Sequence, residues 1–267
     1  MNLSLSGFLF ESGNESERQP FPAFCELAAS AGYHGVELRQ RTQVNPQTSK
    51  ADRREMMGIV REHGLAVTCL TARNMPRSGS ARDEFFGSYL ELCMDMECGL
   101  MKIGSDAEWA RQAAAKAADA GIVLATNNHI GGPCETVSGT RSYLEAVNHP
   151  NWGLLYDCMH LRSTGQDYIG AIPDLAPVTK NILIQSRRPW REGDEAAFPG
   201  NERSWTPVMP DDPDAQDWKA VFATFRKTGY DGLVTVIENG WPHKSRVQVA
   251  KQNARILRRI WEESVVN

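Results

Sequence analysis

Five apolar stretches of this 267-residue chain end in groups able to hold a hydroxyl, bind a cation or move a proton. They are Val36-Glu37-Leu38-Arg39, Thr126-Asn127-Asn128-His129, Tyr156-Asp157-Cys158-Met159-His160, Ile184-Gln185-Ser186-Arg187-Arg188 and Val236-Ile237-Glu238-Asn239. Imidazoles titrate near neutrality and a carboxylate's pKa follows its surroundings, so the set suits general acid–base chemistry. Each group also has a plainer reading. Glu37 can simply pair with Arg39, His129 and His160 can be hydrogen-bonded structural histidines, and Cys158 and Met159 suit packing. Asp157 and Glu238 resist that reading, because each closes an apolar run. Two such carboxylates side by side would repel unless a cation or a hydroxyl separated them.

The elements that must position these groups repeat one theme: an apolar run, a polar loop, an amphipathic helix, then a turn. The runs are Leu3–Phe10, Gly35–Leu38, Leu65–Leu70, Leu100–Ile103, Ile122–Thr126, Trp152–Tyr156, Ile182–Gln185 and Leu233–Ile237. They barely alternate, as expected of parallel strands covered on both faces. Ser105-Asp106-Ala107-Glu108 reads as a capping box whose helix ends at Gly121, and Ser49 opens a helix that stops at Gly64. Further helices are expected over Phe21–Tyr33, Ala81–Cys98, Thr140–Val147 and Asp167–Val178, the last broken by Pro173 and Pro177. Trp218, Val221, Phe222 and Phe225 share one helical face, as do Ala250, Ala254, Leu257 and Trp261. Eight β/α units make an α/β fold, a (β/α)8 TIM barrel over residues 1–267 as one domain, with chemistry at the carboxyl ends of the strands. An open doubly wound sheet is the alternative, but no glycine-rich phosphate cradle follows the first strand.

Composition narrows the function classes. With 41% apolar residues and a net charge of −4, disorder and phosphate-backbone binding are disfavoured, so no nucleic-acid partner is expected. No apolar stretch reaches the length of a membrane span, and the first ten residues lack a signal peptide's basic segment. The six cysteines show no C-x-x-C pairing and read as reduced, buried thiols of a cytoplasmic protein.

Gly35-Val36-Glu37-Leu38, Asp157-x-x-His160 and Gly229-Tyr230-Asp231-Gly232 followed by Ile237-Glu238 resemble the xylose isomerase-like TIM barrels. That superfamily holds sugar isomerases and epimerases, hydroxypyruvate isomerase, dehydratases and endonuclease IV. The resemblance implies a divalent metal held at the ends of strands five to eight, here Asn127, Asp157, Gln185 and Glu238. Gln185 matches the hydroxypyruvate isomerase pattern, whereas Asn127 stands where a Glu is expected. An all-oxygen set suits Mg²⁺ or Mn²⁺ over Zn²⁺. The implied reaction is isomerisation or epimerisation of a small sugar, keto sugar or keto acid by metal-assisted proton transfer through an enediolate. Glu238 is the expected base, with His129 or His160 returning the proton. Glu37, Arg39, Arg188 and Trp190 are the substrate-binding candidates. The last two open a stretch, Arg187 to Gln216, without helix or strand pattern, which reads as a lid carrying Arg191, Arg203 and Trp205. Two alternatives stay open: a keto-polyol dehydratase, and a carbohydrate-binding barrel without turnover. An endonuclease needs a His- and Glu-rich three-metal cluster, which six histidines at these positions do not supply. Whether the chain forms a homo-oligomer is left open.

Overall fold

The computed structural model describes residues 1–11, 19–40, 43–194, 205–238, 241 and 244–265. Eight parallel strands close into a barrel: β1 (Asn2–Ser6), β2 (Gly35–Arg39), β3 (Ala66–Thr71), β4 (Leu100–Lys102), β5 (Val123–Asn127), β6 (Trp152–Asp157), β7 (Thr179–Ile184) and β10 (Leu233–Val236). The neighbours run in chain order, and β10 closes the ring by pairing with both β7 and β1. Strands β8 (Arg187–Pro189) and β9 (Trp205–Pro207) form a separate antiparallel pair above the end of β7.

Helices α1 (Phe21–Ser30), α2 (Lys50–Glu62), α3 (Ser80–Asp95), α4 (Ala107–Asp119), α5 (Val137–Val147), α6 (Cys158–Ser163), α7 (Ile172–Leu175), α8 (Trp218–Lys227) and α9 (Arg246–Glu263) follow the strands. Their starts are chemically marked. The Ser49 hydroxyl accepts from the Asp52 N–H at the head of α2. At α4 the cap is Asp106, which accepts from the Trp109 N–H, and not Ser105 as the capping-box pattern predicts. The carboxylate is the stronger acceptor for an orphan helix N–H and also suits the positive end of the helix. Gly121 ends that segment at φ +69°, a conformation a side chain would strain. On α8, Trp218, Val221, Phe222 and Phe225 are all buried, Phe222 lying edge-on to Trp261 of α9.

The barrel interior is stacked in layers. Cys69, Leu100, Ala125, Leu155, Leu183 and Ile237 form an apolar plug inside the ring. Side chains alternate along a strand, so the interior positions next above this plug are two residues on. On β3 through β7 those positions are Thr71, Lys102, Asn127, Asp157 and Gln185. Five strands thus lift a polar layer to the carboxyl end, directly over a dry floor.

Candidate active site

The mouth of the barrel holds a cavity of about 280 Å³ lined by Phe8, Arg39, Thr71, Arg73, Lys102, Asn127, His129, His160 and Gln185, among others. Every strand end from β2 through β7 contributes, directly or through the loop or helix that follows. No Asp or Glu belongs to the described lining, so the wall presents donors and cations while the carboxylates stand behind it.

Asp157 illustrates the arrangement. It is fully buried, and its backbone is clamped to β5 because Asn128 Nδ2 donates to its carbonyl at 2.7 Å while its N–H donates to Asn128 Oδ1 at 2.9 Å. Its Oδ1 caps α6, accepting from the N–H groups of Met159 at 3.1 Å and His160 at 3.4 Å. The Asp-x-x-His spacing therefore sets His160 in the first turn of a short helix, over its own cap. Oδ2 has no hydrogen bond among the described residues and stands 3.7 Å from His160 Nε2. The His160 ring in turn lies against His129, centroids 3.9 Å apart. The outer ring is exposed, with Nδ1 2.7 Å from the Ile130 carbonyl. Burial pushes the Asp157 carboxyl up to about 6, against the pull of Lys102 and His129. The result is a carboxylate, a buried imidazole and an exposed imidazole in file, from core to cavity.

Across the barrel Glu37 behaves oppositely. Burial alone would raise its pKa, but Arg39, Lys102 and the Thr71 hydroxyl together hold it below the ordinary glutamate range. Arg39 Nη1 lies 3.2 Å from Glu37 Oε1, and the Thr71 hydroxyl donates to the same oxygen at 2.5 Å. Arg39 also reaches Glu11 Oε2 at 3.2 Å and covers the Phe8 ring. Both members of the pair were expected to bind substrate. Only Arg39 lines the cavity, while Glu37 stands behind it as its counter-ion.

Three of the expected site residues, Glu238, Arg188 and Trp190, stand away from the cavity. Glu238 does not point into the mouth. Ile237 takes the interior position on that strand, so alternation turns Glu238 away. There its Oε1 accepts from the Ser186 N–H and its Oε2 from Arg187 Nη1, each at 2.6 Å, both side chains being fully buried. Burial raises its pKa in spite of that guanidinium. Arg188 is likewise committed elsewhere: its two Nη atoms grip the Asp194 carboxylate at 2.6 and 2.8 Å. Trp190 is exposed, its Nε1 donating to the Asp194 carbonyl, and neither residue lines the cavity. The segment read as patternless contains the β8/β9 pair, too short to register as a strand pattern. Arg203 and Asn239 lie outside the described residues.

Lys102, Thr71, Arg73 and Asn128 are site residues that motif reading missed. Lys102 carried a usable signal: it stands two positions beyond the interior Leu100, at a strand end where an ammonium is costly unless employed. Its side chain makes no hydrogen bond or ion pair among the described residues, and burial lowers its pKa while Glu37 and Asp157 pull the other way.

The family model for xylose isomerase-like TIM barrels matches residues 25–260. The chain belongs to that family. No functionally curated protein matches the sequence. Among solved structures, a probable 3-DHS dehydratase, AsbF of Bacillus anthracis, is similar with a TM-score of 0.75 and 15% identity, over 97% of this chain and 99% of that one. An IolI protein with a bound zinc atom gives 0.74 and 16%, over 99% and 98%. D-psicose 3-epimerase of Clostridium cellulolyticum H10, solved with D-tagatose, gives 0.70 and 13%, over 98% and 99%. The same barrel fold thus occurs in a probable dehydratase and in an epimerase.

The IolI structure holds zinc, and the donor chemistry of the expected ligands bears on whether a divalent ion fits here. Of Asn127, Asp157, Gln185 and Glu238, only Asp157 can bring charge, since both oxygens of Glu238 are engaged by Arg187 and Ser186. Among the described residues no cluster of three or more His, Cys, Asp and Glu side chains forms a metal-binding group. A dication at the polar layer would also face the Lys102 ammonium. As folded, the donor set does not fit Mg²⁺ or Mn²⁺.

Proposed function

We propose that this protein is an isomerase or epimerase of a small sugar, keto sugar or keto acid, acting by proton transfer at a carbon beside a carbonyl. The single observation behind this reading is the file Asp157–His160–His129 opening on a cavity whose remaining polar wall is Arg39, Lys102, Asn127 and Gln185. His160 is the base. Asp157 behind it favours the imidazolium that forms, as a carboxylate behind a catalytic histidine does elsewhere. Asn127 and Gln185 orient hydroxyls. Arg39, and Arg73 at the exposed rim, suit a carboxylate or phosphate on the substrate. A volume of about 280 Å³ suits a small-molecule substrate.

The step moves a carbonyl along the chain without net gain or loss of atoms. His160 takes the proton from the hydroxyl-bearing carbon, its electron pair forms the carbon–carbon double bond, and the carbonyl oxygen becomes an oxyanion. The proton returns to the former carbonyl carbon, and the hydroxyl proton passes to the new hydroxyl oxygen. Wash-in of deuterium from D₂O into a panel of short ketoses, aldoses and keto acids tests the reading. Solvent deuterium in recovered substrate or its isomer is expected. A product lighter by one water would assign a dehydratase, and binding without exchange would assign a carbohydrate-binding barrel.

A further inference from the structure

Among the described residues, Lys102 is a cation of this site for which no ion pair forms. It ends β4, the shortest barrel strand, and points into the interior above Leu100 on the same wall as His160. Arg39 is matched by Glu37 and Glu11, Arg73 by Glu11, and Arg187 by Glu238. The carboxylates nearest in effect to Lys102, Glu37 and Asp157, stand on opposite sides of it and form no ion pair with it. An ammonium left unpaired at a cavity wall is normally too costly to keep unless an anion meets it. The expected metal ligands meanwhile lack the charge to hold a dication.

We infer that Lys102 takes the electrophile's place that a divalent ion would hold, its ammonium donating to the oxyanion that develops as His160 removes the proton, so that proton transfer here needs no metal. This rests on the proton-transfer reading above. A compact, strongly hydrated ammonium with three rotatable donors suits an oxygen that gains charge during the reaction. In a partly dry site such a donor stabilises the enediolate more than the ground-state carbonyl. Its charge, felt at Asp157, also opposes a cation beside that carboxylate.

Two measurements separate this inference from the reading it rests on. In the first, Mn²⁺ is titrated into the protein and free ion is followed by its EPR signal. The wild type is expected to bind none at up to about millimolar Mn²⁺, and Lys102→Gln, which removes the like charge and adds an oxygen donor, to bind at least about tenfold more tightly. Stoichiometric micromolar binding by the wild type, lost in Asp157→Asn, overturns the inference whatever the substrate proves to be. In the second, the exchanging substrate from the deuterium panel is used with chelator-treated protein. Undiminished exchange is expected, with Lys102→Met slowing kcat at least about 100-fold while circular dichroism and melting temperature stay near wild type. Should Lys102→Met misfold, Lys102→Gln serves the same comparison. Exchange abolished by chelator and restored by Mn²⁺, or kcat untouched by both Lys102 substitutions, overturns the assignment.

Discussion

Glu37 and Asp157 are both buried carboxylates at the barrel mouth, on strands that face each other across the ring. Their proton affinities are nevertheless driven apart. Glu37 meets a fixed guanidinium and a hydroxyl donor, and stays ionised. Asp157 meets backbone N–H groups on one oxygen and, among the described residues, no hydrogen bond on the other, which stands 3.7 Å from His160; burial lifts its pKa to about 6 against the pull of Lys102 and His129. Burial acts alike on both. The partner decides: a permanent cation fixes the charge, whereas a titratable one leaves a proton free to move. One side of the mouth is therefore held ionised, and on the proposed reading the other handles protons.

Removing the proton-handling carboxylate should have the largest effect. Asp157→Asn keeps an N-cap acceptor for α6 but not the charge behind His160, so deuterium exchange should fall by about 10²–10⁴ with the fold intact. An exchange rate within threefold of wild type would mean that the Asp157 side of the mouth is framework too. On the Glu37 side the loss should appear in stability. Glu37→Gln strands part of Arg39's charge in the wall, with Glu11 as its remaining partner, and should cost about 3 kcal/mol in urea unfolding. Equal stability would show that Glu11 suffices.

The comparison also sets two pH dependences of opposite sign. Asp157 is raised from 3.8 to about 6, so the folded state holds its proton more tightly than the unfolded chain. That contribution is fully present below about pH 4 and is lost as pH rises through 6, about 3 kcal/mol in all. Glu37 is lowered, so its contribution is present above the ordinary glutamate range and is lost as pH falls through its folded value. Unfolding curves from pH 3 to 7 should show Asp157→Asn flattening the decline toward neutrality and Glu37→Gln flattening the loss in acid. Swapped assignments would break the contrast. The smallest effect belongs outside the mouth: Arg188→Ala, which loses the grip on Asp194 and a bond to the Pro189 carbonyl, should leave kcat/KM within about twofold. A tenfold rise in KM would return Arg188 to the substrate.

Much of this was legible from residue order. Eight apolar runs, capped helices and the Asp-x-x-His and Gly-Val-Glu-Leu patterns specify a parallel barrel with its chemistry at one rim, because strand length, capping and apolar periodicity are local properties. All six cysteines, expected as reduced thiols, are unpaired and buried. Two placements at the strand ends were not legible. Glu238 and Lys102 both end apolar strands, and nothing local says which one faces inward. That is decided by the parity of each strand in the closed ring, by Ile237 filling the plug and Leu100 lying beneath Lys102. Long-range pairing decided the rest: Arg187 reaching Glu238, Asn128 clamping Asp157, and Glu11 returning to Arg39 and Arg73. Sequence by itself determined which chemical groups stand at the carboxyl ends of the strands. Only the tertiary structure decided which of them are neutralised there, because charge compensation depends on distances between strands that no local pattern encodes.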